Sequence, residues 1–396
     1  MRAARYSTLP MMSGKPLDGP KPHFFLSAAE PSADVHCARL VEALRRLHPE
    51  ARFSGLGGPE MAQAGCRLIA DTTARAAMTY NVLGQLGWYR GLIAKAAESF
   101  RAERPDLVIV CDSPALNFHI ARAAKRSDIK TLFYVAPQLW AWAPWRLRKL
   151  RRLCDKLCCI LPFEEEWFGS RGMDVTYVGN PLLAELGFEG GKGVRPREEK
   201  GSEPFPLRVA LMPGSRKAEI DTLWGPMQEV AERIREKFPG VEFTAVAVSE
   251  ERASVLKSRQ AQGLEIEYSI NSVYETARAS DFTLVASGSA TLQVAAAGCP
   301  MVIMYQSSRV LWHLVGRWLV KIPYLALPNI LAGKELVPEF MPYFRSVEPI
   351  AEACIGLLSD KGRLEKMRRG LLEVTRPLGA KNAPEVTAGI ASEMLR

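Results

Sequence analysis

The sequence has no uninterrupted apolar run of about 18 residues, the length a helix needs to span hydrocarbon, so membrane contact is expected only at a surface. A secretory leader is also missing. Residues 1–21, MRAARYSTLPMMSGKPLDGPK, are basic but have no apolar h-region, and read as a loose tail on a cytoplasmic protein. The eight cysteines, at 37, 66, 111, 154, 158, 159, 299 and 354, form no repeated Cys-x-x-Cys pair and stand near no His cluster. Zinc-finger spacing and a disulfide framework are thereby excluded, leaving buried free thiols in a reducing compartment. No Walker lysine spacing occurs, and Gly55-x-Gly57-Gly58 lacks the third glycine of a dinucleotide fingerprint, which argues against ATP and NAD. With no RNP-like aromatic run and no basic helix joined to a heptad, nucleic acid is not expected as a partner.

A chain of 396 residues is long for one core, so two domains are expected. Apolar residues at 47% and charged residues at 24% are globular proportions. The net charge of +9 favours an anionic partner, either a phospholipid surface or a phosphorylated substrate, without choosing between them.

From residue 22 to 186 short apolar runs alternate with amphipathic segments, as in a doubly wound parallel sheet. HFFLSA, ARFSGL, DLVIVCD, TLFYVAP, KLCCILP and DVTYVG are the expected strands, uniformly apolar where helices cover both faces. Cys37, Leu40, Val41, Leu44 and Leu47 recur at helical spacing and predict one buried stripe, ending before Pro49. Residues 187–206, rich in Gly, Pro and charge, read as a linker. A second series then runs through LRVALMPGS, VEFTAVAVS, LEIEYS, DFTLVAS and PMVIMY over residues 207–348, and residues 349–396 read as helices. The expected fold class is α/β: two Rossmann-like parallel sheets facing a cleft.

Ligands of such sheets bind beyond the carboxyl ends of the strands, so the residues just after each strand carry the candidate chemistry. After DFTLVA come Ser287, Gly288, Ser289 and Thr291 at a helix start, where free backbone N–H groups and the helix dipole suit a diphosphate. Gln293, one turn in, is expected to face the same cleft. A plain helix cap explains this turn equally well. In MPGSRKAEID, Ser215 and Arg216 offer a second anion cradle, arginine being suited to bidentate phosphate contact; a solvated surface cation is the competing reading. Asp112 follows DLVIVC directly, where a carboxylate can accept the proton of a sugar hydroxyl or simply cap the helix. Glu30 and Asp34, at the first strand-to-helix turn, join Asp112 as catalytic candidates, and Ser32 and Asn117 join the substrate-binding set. Val82, Leu83, Leu86 and Trp88, near Arg90 and Lys95, suit contact with anionic lipid, although core packing produces the same stripe. WRLRKLRRLCDK adds basic charge suited to membrane or phosphate.

Taken together, LSAAEPSAD, GLGGPEMAQAG, PDLVIVCDSPALNFHIARAAK, YVAPQLWAWAPWRLRKL, ILPFEEEWF, YVGNPLL, LMPGSRKAEI, ASGSATLQVAAAGCPMVIMY and LPNILAGKELVPEFM resemble the lipid-A-disaccharide synthase family over nearly the whole chain after residue 21. The resemblance implies a GT-B fold whose first domain takes the acceptor, whose second takes the uridine nucleotide, and whose last helix crosses back to the first. It implies an inverting transfer from UDP-2,3-diacylglucosamine to 2,3-diacylglucosamine 1-phosphate, releasing UDP, with no metal and no cofactor. It places the protein peripherally on the inner face of the inner membrane and is compatible with a homodimer. Arg216 and the Ser287 turn would hold the diphosphate, Asp112 would be the base, and Asn329 and Glu339 would lie near the nucleotide.

This sequence departs from the family pattern where Ala29 and Ala33 replace glycine, Asn180 replaces His, Gln293 replaces Glu and Pro342 replaces Gln. Gln293 can still accept a ribose hydroxyl, but without the strength of a charged acceptor. Two other readings stay open from these departures: another UDP-sugar enzyme of the same fold, with an altered acceptor or acting as a UDP-N-acetylglucosamine 2-epimerase, and a non-catalytic UDP-lipid-binding protein.

Overall fold

The computed structural model describes residues 21–73, 82–186, 206–308, 312–313 and 322–395, with no side-chain description for 82–86. The expected tail and linker lie outside the described residues, apart from Lys21 and Pro206. The first sheet consists of β1 His23–Ala28, β2 Arg52–Gly57, β3 Arg67–Asp71, β4 Leu107–Cys111, β5 Lys130–Tyr134, β6 Lys156–Cys159 and β7 Val175–Tyr177, in the order β3-β2-β1-β4-β5-β6-β7. The second consists of β8 Arg208–Met212, β9 Glu242–Ala247, β10 Glu267–Ile270, β11 Phe282–Ala286, β12 Met301–Met304 and β13 Glu339–Phe340, in the order β10-β9-β8-β11-β12-β13. Every pairing in both is parallel. This is the expected α/β class. Two edge strands carried no signal: β3 alternates weakly and is half-buried, and β13 is only two residues long.

Among the described residues the first half contains the α-helices α1 Pro31–Leu47, α2 Pro59–Gln63, α3 Val82–Glu103, α4 Pro114–Arg126, α5 Leu139–Trp142, α6 Leu147–Leu153, α7 Pro162–Gly169 and α8 Pro181–Glu185. Those of the second half include α9 Lys217–Lys237, α10 Glu250–Ser258, α11 Val273–Ala279, α12 Ala290–Ala296 and α13 Leu327–Ala332. The tail forms α14 Glu348–Leu358, α15 Lys361–Thr375 and α16 Ala383–Met394. Pro31 at the first helical position and Arg45 and Arg46 in the last turn suit the ends of α1. Its stripe of Cys37, Leu40, Val41 and Leu44 is fully buried, but Leu47 is 50% exposed, because it is the last helical residue and projects past the sheet.

Three cores result. The β1–β4–β5 strands bury Phe24, Leu26, Ile109 and Leu132 against α1 on one face and Phe25, Val108, Val110 and Phe133 against α3, α4 and α6 on the other. The second sheet is covered by α9 through Leu223, Trp224 and Met227, and by the tail through Ile350, Cys354, Met367 and Leu371. All eight cysteines are unpaired, Cys154 half-buried and the others buried, in keeping with the thiol reading. No helix among the described residues is long and apolar enough to cross a membrane.

The chain ends by returning to where it began. Small residues Ala383, Ala388 and Ala391 let α16 pack closely into the α1 core. Around this seam His48 Nε2 meets Ser392 Oγ at 2.8 Å, and Lys130 Nζ donates to the Met394 carbonyl at 2.7 Å. Just before α16, the Tyr177 hydroxyl donates to the Pro377 carbonyl (2.8 Å), Lys381 Nζ donates to the Tyr177 carbonyl (2.7 Å) and the Asn180 N–H donates to the Leu378 carbonyl (3.0 Å). Gly179 sits inside this strap at φ +95°, where a Cβ would stand 2.3 Å from the Lys381 carbonyl oxygen. Gly179→Ala is therefore expected to cost about 2 kcal/mol from backbone strain and overlap, and to lower the thermal midpoint. An unchanged midpoint would mean that the strap yields freely.

Candidate active site

The carboxyl ends of β1, β4 and β5 meet at one edge of the first sheet, and the chain is strained there. Asp112 and Ser113, immediately after β4, lie at φ +49° and +40°, and Val135, immediately after β5, lies at φ +62°. Left-handed backbone is costly for such residues and persists only where neighbours impose it. Asn117, fully buried in α4, imposes it: its Nδ2 donates to the Cys111 and Asp112 carbonyls, both at 2.8 Å, and its Oδ1 accepts the Ser27 hydroxyl at 2.7 Å. The Asp112 N–H donates to the Tyr134 carbonyl at 3.1 Å. Asn117 thus positions the Asp112 turn and has no free atom for substrate, which corrects its place among the binding candidates.

Asp112 stands at this edge, between β4 and α4. Burial raises its pKa, opposed by the Ser113 N–H and by the charge of nearby His36. His36 is held by Glu185, Nδ1 to Oε1 at 2.6 Å. Glu30, at the N-cap of α1, makes no side-chain cap. Its pKa is raised by burial and then by the negative charge of Asp112, and lowered by Arg216. Since Glu30 and Asp112 belong to the first domain and Arg216 to the second, the two domains bring opposite charges together across the cleft. Ser32 is exposed beside Glu30.

Asp34 is different. It is buried, and its carboxylate accepts the N–H groups of Gly58 (2.7 Å), Glu60 (3.0 Å) and Met61 (3.2 Å), capping α2. A carboxylate saturated in this way cannot serve as a proton acceptor in the cleft, so its catalytic reading is corrected to a structural one. Ala29 and Ala33 are buried in the two cores of the first domain, and neither has left-handed backbone, so the turn accepts alanine without strain.

In the second domain, Ser215 and Arg216 do not form the open cradle expected of them. Their N–H groups both donate to Glu219 Oε2 at 3.0 Å, and Arg216 Nη1 reaches Glu219 Oε1 at 3.0 Å. Gly214, at φ +98°, is required because a Cβ would stand 2.4 Å from that carboxylate. What remains for a ligand is the Arg216 guanidinium, 72% exposed. The turn after β11 is more open. Ser287 N–H bonds back to Met304, and buried Thr291 closes the turn with its hydroxyl on the Gly288 carbonyl at 2.7 Å, a structural role that replaces its expected ligand contact. Gly288 and Ser289 are exposed, their N–H groups have no acceptor among the described residues, and nothing lies within 4 Å of a Cβ at Gly288. Gln293 is half-buried one turn further on.

Three further residues, Asn329, Glu339 and Asn180, are held by internal hydrogen bonds. Asn329 is fully buried, its Oδ1 accepting the N–H groups of Leu336 (2.8 Å) and Val337 (2.9 Å). Glu339 accepts the N–H groups of Leu325 and Ala326 and the Asn329 amide at 2.9–3.0 Å, so this pair braces the segment leading to β13. Asn180 caps α8 by accepting the Leu182 N–H at 3.1 Å. Of the lipid-facing candidates, Trp88 packs half-buried against the first core and stacks on Tyr89 at 5.3 Å, as core packing requires; the side chains of Val82, Leu83 and Leu86 lie outside the described residues.

One residue at the site had not been singled out. Glu164, fully buried and near enough to feel the charge of Asp112, accepts Trp140 Nε1 (2.9 Å) and the N–H groups of Leu161 (3.1 Å) and Ile160 (3.2 Å), and burial pushes its pKa up to about 7. Capping-box spacing three residues after Leu161 was the signal available for it. Among the described residues no three His, Cys, Asp or Glu side chains converge as a metal site would require. The division of carboxylates has a direct test: Asp34→Ala, which orphans three backbone N–H groups, is expected to cost about 2–3 kcal/mol in denaturant unfolding, whereas Asp112→Asn should shift stability by less than about 1 kcal/mol. Equal losses would erase the distinction.

Comparison with known proteins extends over nearly the whole chain. Residues 24–386 match the family described as lipid-A-disaccharide synthetase. The lipid-A-disaccharide synthase of Geobacter metallireducens is 34% identical over 95% of this chain and 98% of its own length, and that of Nitrosococcus oceani is 32% identical over 92% and 94%. Among solved structures, the UDP-GlcNAc 2-epimerase from Neisseria meningitidis bound to UDP-GlcNAc is similar at a TM-score of 0.62 and 13% identity, covering 94% of this chain and 100% of that one. The calicheamicin glycosyltransferase CalG4 is similar at 0.58 and 15%, covering 95% and 98%. These distant structures share the GT-B fold, while the near relatives carry the family: the chain belongs to the lipid-A-disaccharide synthases.

Proposed function

We propose that this protein joins two acylated glucosamines, transferring the sugar of UDP-2,3-diacylglucosamine to the 6-hydroxyl of 2,3-diacylglucosamine 1-phosphate with inversion and release of UDP. The observation that carries the mechanism is the place of Glu30, which feels the charge of Asp112 in its own domain and that of Arg216 in the other. Asp112 takes the proton of the acceptor hydroxyl as its oxygen attacks the anomeric carbon from the face opposite UDP. The bond to the β-phosphate oxygen breaks and its electron pair leaves with UDP. The Arg216 guanidinium and the open N–H groups of Gly288 and Ser289 are suited to the charge that develops on the diphosphate. Glu30 and Ser32 line the acceptor side, and Ser287 and Gln293 the nucleotide side. Acylated substrates also motivate peripheral residence at the inner face of the inner membrane, with the start of α3 near the lipid.

Within the same fold, the likeness to UDP-GlcNAc 2-epimerases favours a second reading, action on a UDP-sugar without an acylated acceptor. UDP release in mixed micelles separates the two. The synthase reading expects turnover only with both acylated substrates, and turnover of UDP-N-acetylglucosamine alone would overturn it.

Asp112→Asn is expected to lower kcat by about 10²–10⁴-fold in a folded protein, the usual worth of a positioned base. Retained activity would remove Asp112 from that role. Because a base must be ionised and burial raises the Asp112 pKa, kcat/KM should fall with decreasing pH through a pKa above that of a free aspartate. An acid limb at or below the free value would contradict the burial argument.

A further inference from the structure

Beyond the cleft, four basic side chains come together: His119 and Arg122 of α4, Arg146 just before α6, and Lys149 within it. Lys149 Nζ lies over the Phe118 ring, 4.8 Å from its centroid, and so ties α6 to α4. Arg122 stands four residues after Phe118 and three after His119, on the same side of α4. Arg146, three residues before Lys149, stacks on Trp142 at 5.1 Å. None of Arg122, Arg146 and Lys149 has a carboxylate partner among the described residues, although the half-buried Lys125 and Lys156 of the same domain each have one. Their mutual repulsion is unrelieved: the pKa of Lys149 is lowered by burial and then by Arg122 and Arg146, and that of His119 by burial and then by Lys149 and Arg122. Assembling like charges in this way destabilises a fold unless an anion completes the set.

Position says which anion. Asp112 and Ser113 lead directly into α4, and Phe118 lies four residues past Pro114, about 6 Å along the helix at 1.5 Å per residue. In a glucosamine 1-phosphate, the 6-hydroxyl and the phosphate occupy opposite ends of the sugar. A hydroxyl at Asp112 therefore directs the phosphate away from the base and along the α4–α6 face.

We propose that Arg122, Arg146 and Lys149, with His119 at their edge, bind the phosphate monoester of the acceptor sugar, fixing which end of the acceptor meets Asp112. This rests on the synthase reading for the identity of the acceptor. Guanidinium groups supply the forked donors that a phosphate dianion accepts, and the flexible lysine supplies a point charge. The set recognises the acceptor alone, leaving donor binding to the second domain.

The test measures binding of 2,3-diacylglucosamine 1-phosphate and of its phosphate-free form, each in neutral detergent micelles, by calorimetry on the full chain. Wild type is compared with Arg122→Gln, with Lys149→Gln and with Arg52→Gln, which removes an exposed charge at the opposite edge of the sheet. Arg122→Gln and Lys149→Gln are expected to weaken the phosphorylated acceptor about tenfold, equivalent to about 1.4 kcal/mol. Affinity for the phosphate-free form should not change, and Arg52→Gln should change neither. Unchanged affinity for the phosphorylated acceptor, or equal losses for both forms, would overturn the assignment. Sedimentation with phosphatidylglycerol vesicles covers the lipid surface: variants that lose vesicle binding but keep acceptor affinity would make this face a membrane dock and sink the proposal. UDP release by the same wild-type samples is scored separately, so failure of turnover counts against the synthase reading while the acceptor contrast still decides the phosphate site.

Discussion

Every strand pair in both sheets is parallel, and that constraint governs the rest of the molecule. A parallel strand cannot be followed by a tight hairpin, so each connection must cross back over the sheet, and every strand then delivers its carboxyl end to the same edge. The turns after β1, β4 and β5 meet there because those strands are neighbours, and the turns after β8 and β11 meet for the same reason in the second sheet. The cleft is where these two edges face each other. Glu30 feels the charges of Asp112 and Arg216, both far from it in the chain, as a result.

At these edges the backbone leaves N–H groups without partners, and the protein satisfies many of them with its own carboxylates. Asp34 caps the turn after β2, Glu164 the turn after β6, Glu219 the turn after β8, and Glu339 the segment before α13. Each fixes a loop and is chemically occupied. Glu30 and Asp112 make no such set of N–H contacts, and their pKa values are raised. The separation is physical: a carboxylate that accepts two or three N–H bonds is a structural brace, and one without them is available for proton transfer. The strained pair Asp112–Ser113 fits this division, since Asn117 holds a conformation that the free chain would avoid.

The returning tail adds the remaining restraint. By covering the second sheet with α14 and α15 and then burying α16 against α1, the last residues pack on both domains. The strap around Tyr177, Gly179 and Asn180 pins that crossing at the point where the chain leaves the first sheet. Asn180 therefore belongs to the mechanics of the two-domain arrangement, where its side chain caps α8.

The sequence by itself determined the class of fold, because alternating apolar runs and amphipathic helices admit few solutions other than wound parallel sheets, and the strongest strands were legible from apolar content alone. It also placed the candidate residues at the carboxyl ends of the strands, since a polar residue directly after a buried strand lies at that edge. It could not tell Asp34 from Asp112, or Asn117 from Ser32, because occupancy of a side chain depends on which backbone groups other loops bring to it. Nor could it show that Arg216 would answer to Glu30, or that Leu47 would fall beyond the cover of the sheet. Those outcomes rest on contacts between segments distant in the chain, and only tertiary packing sets which of those segments meet.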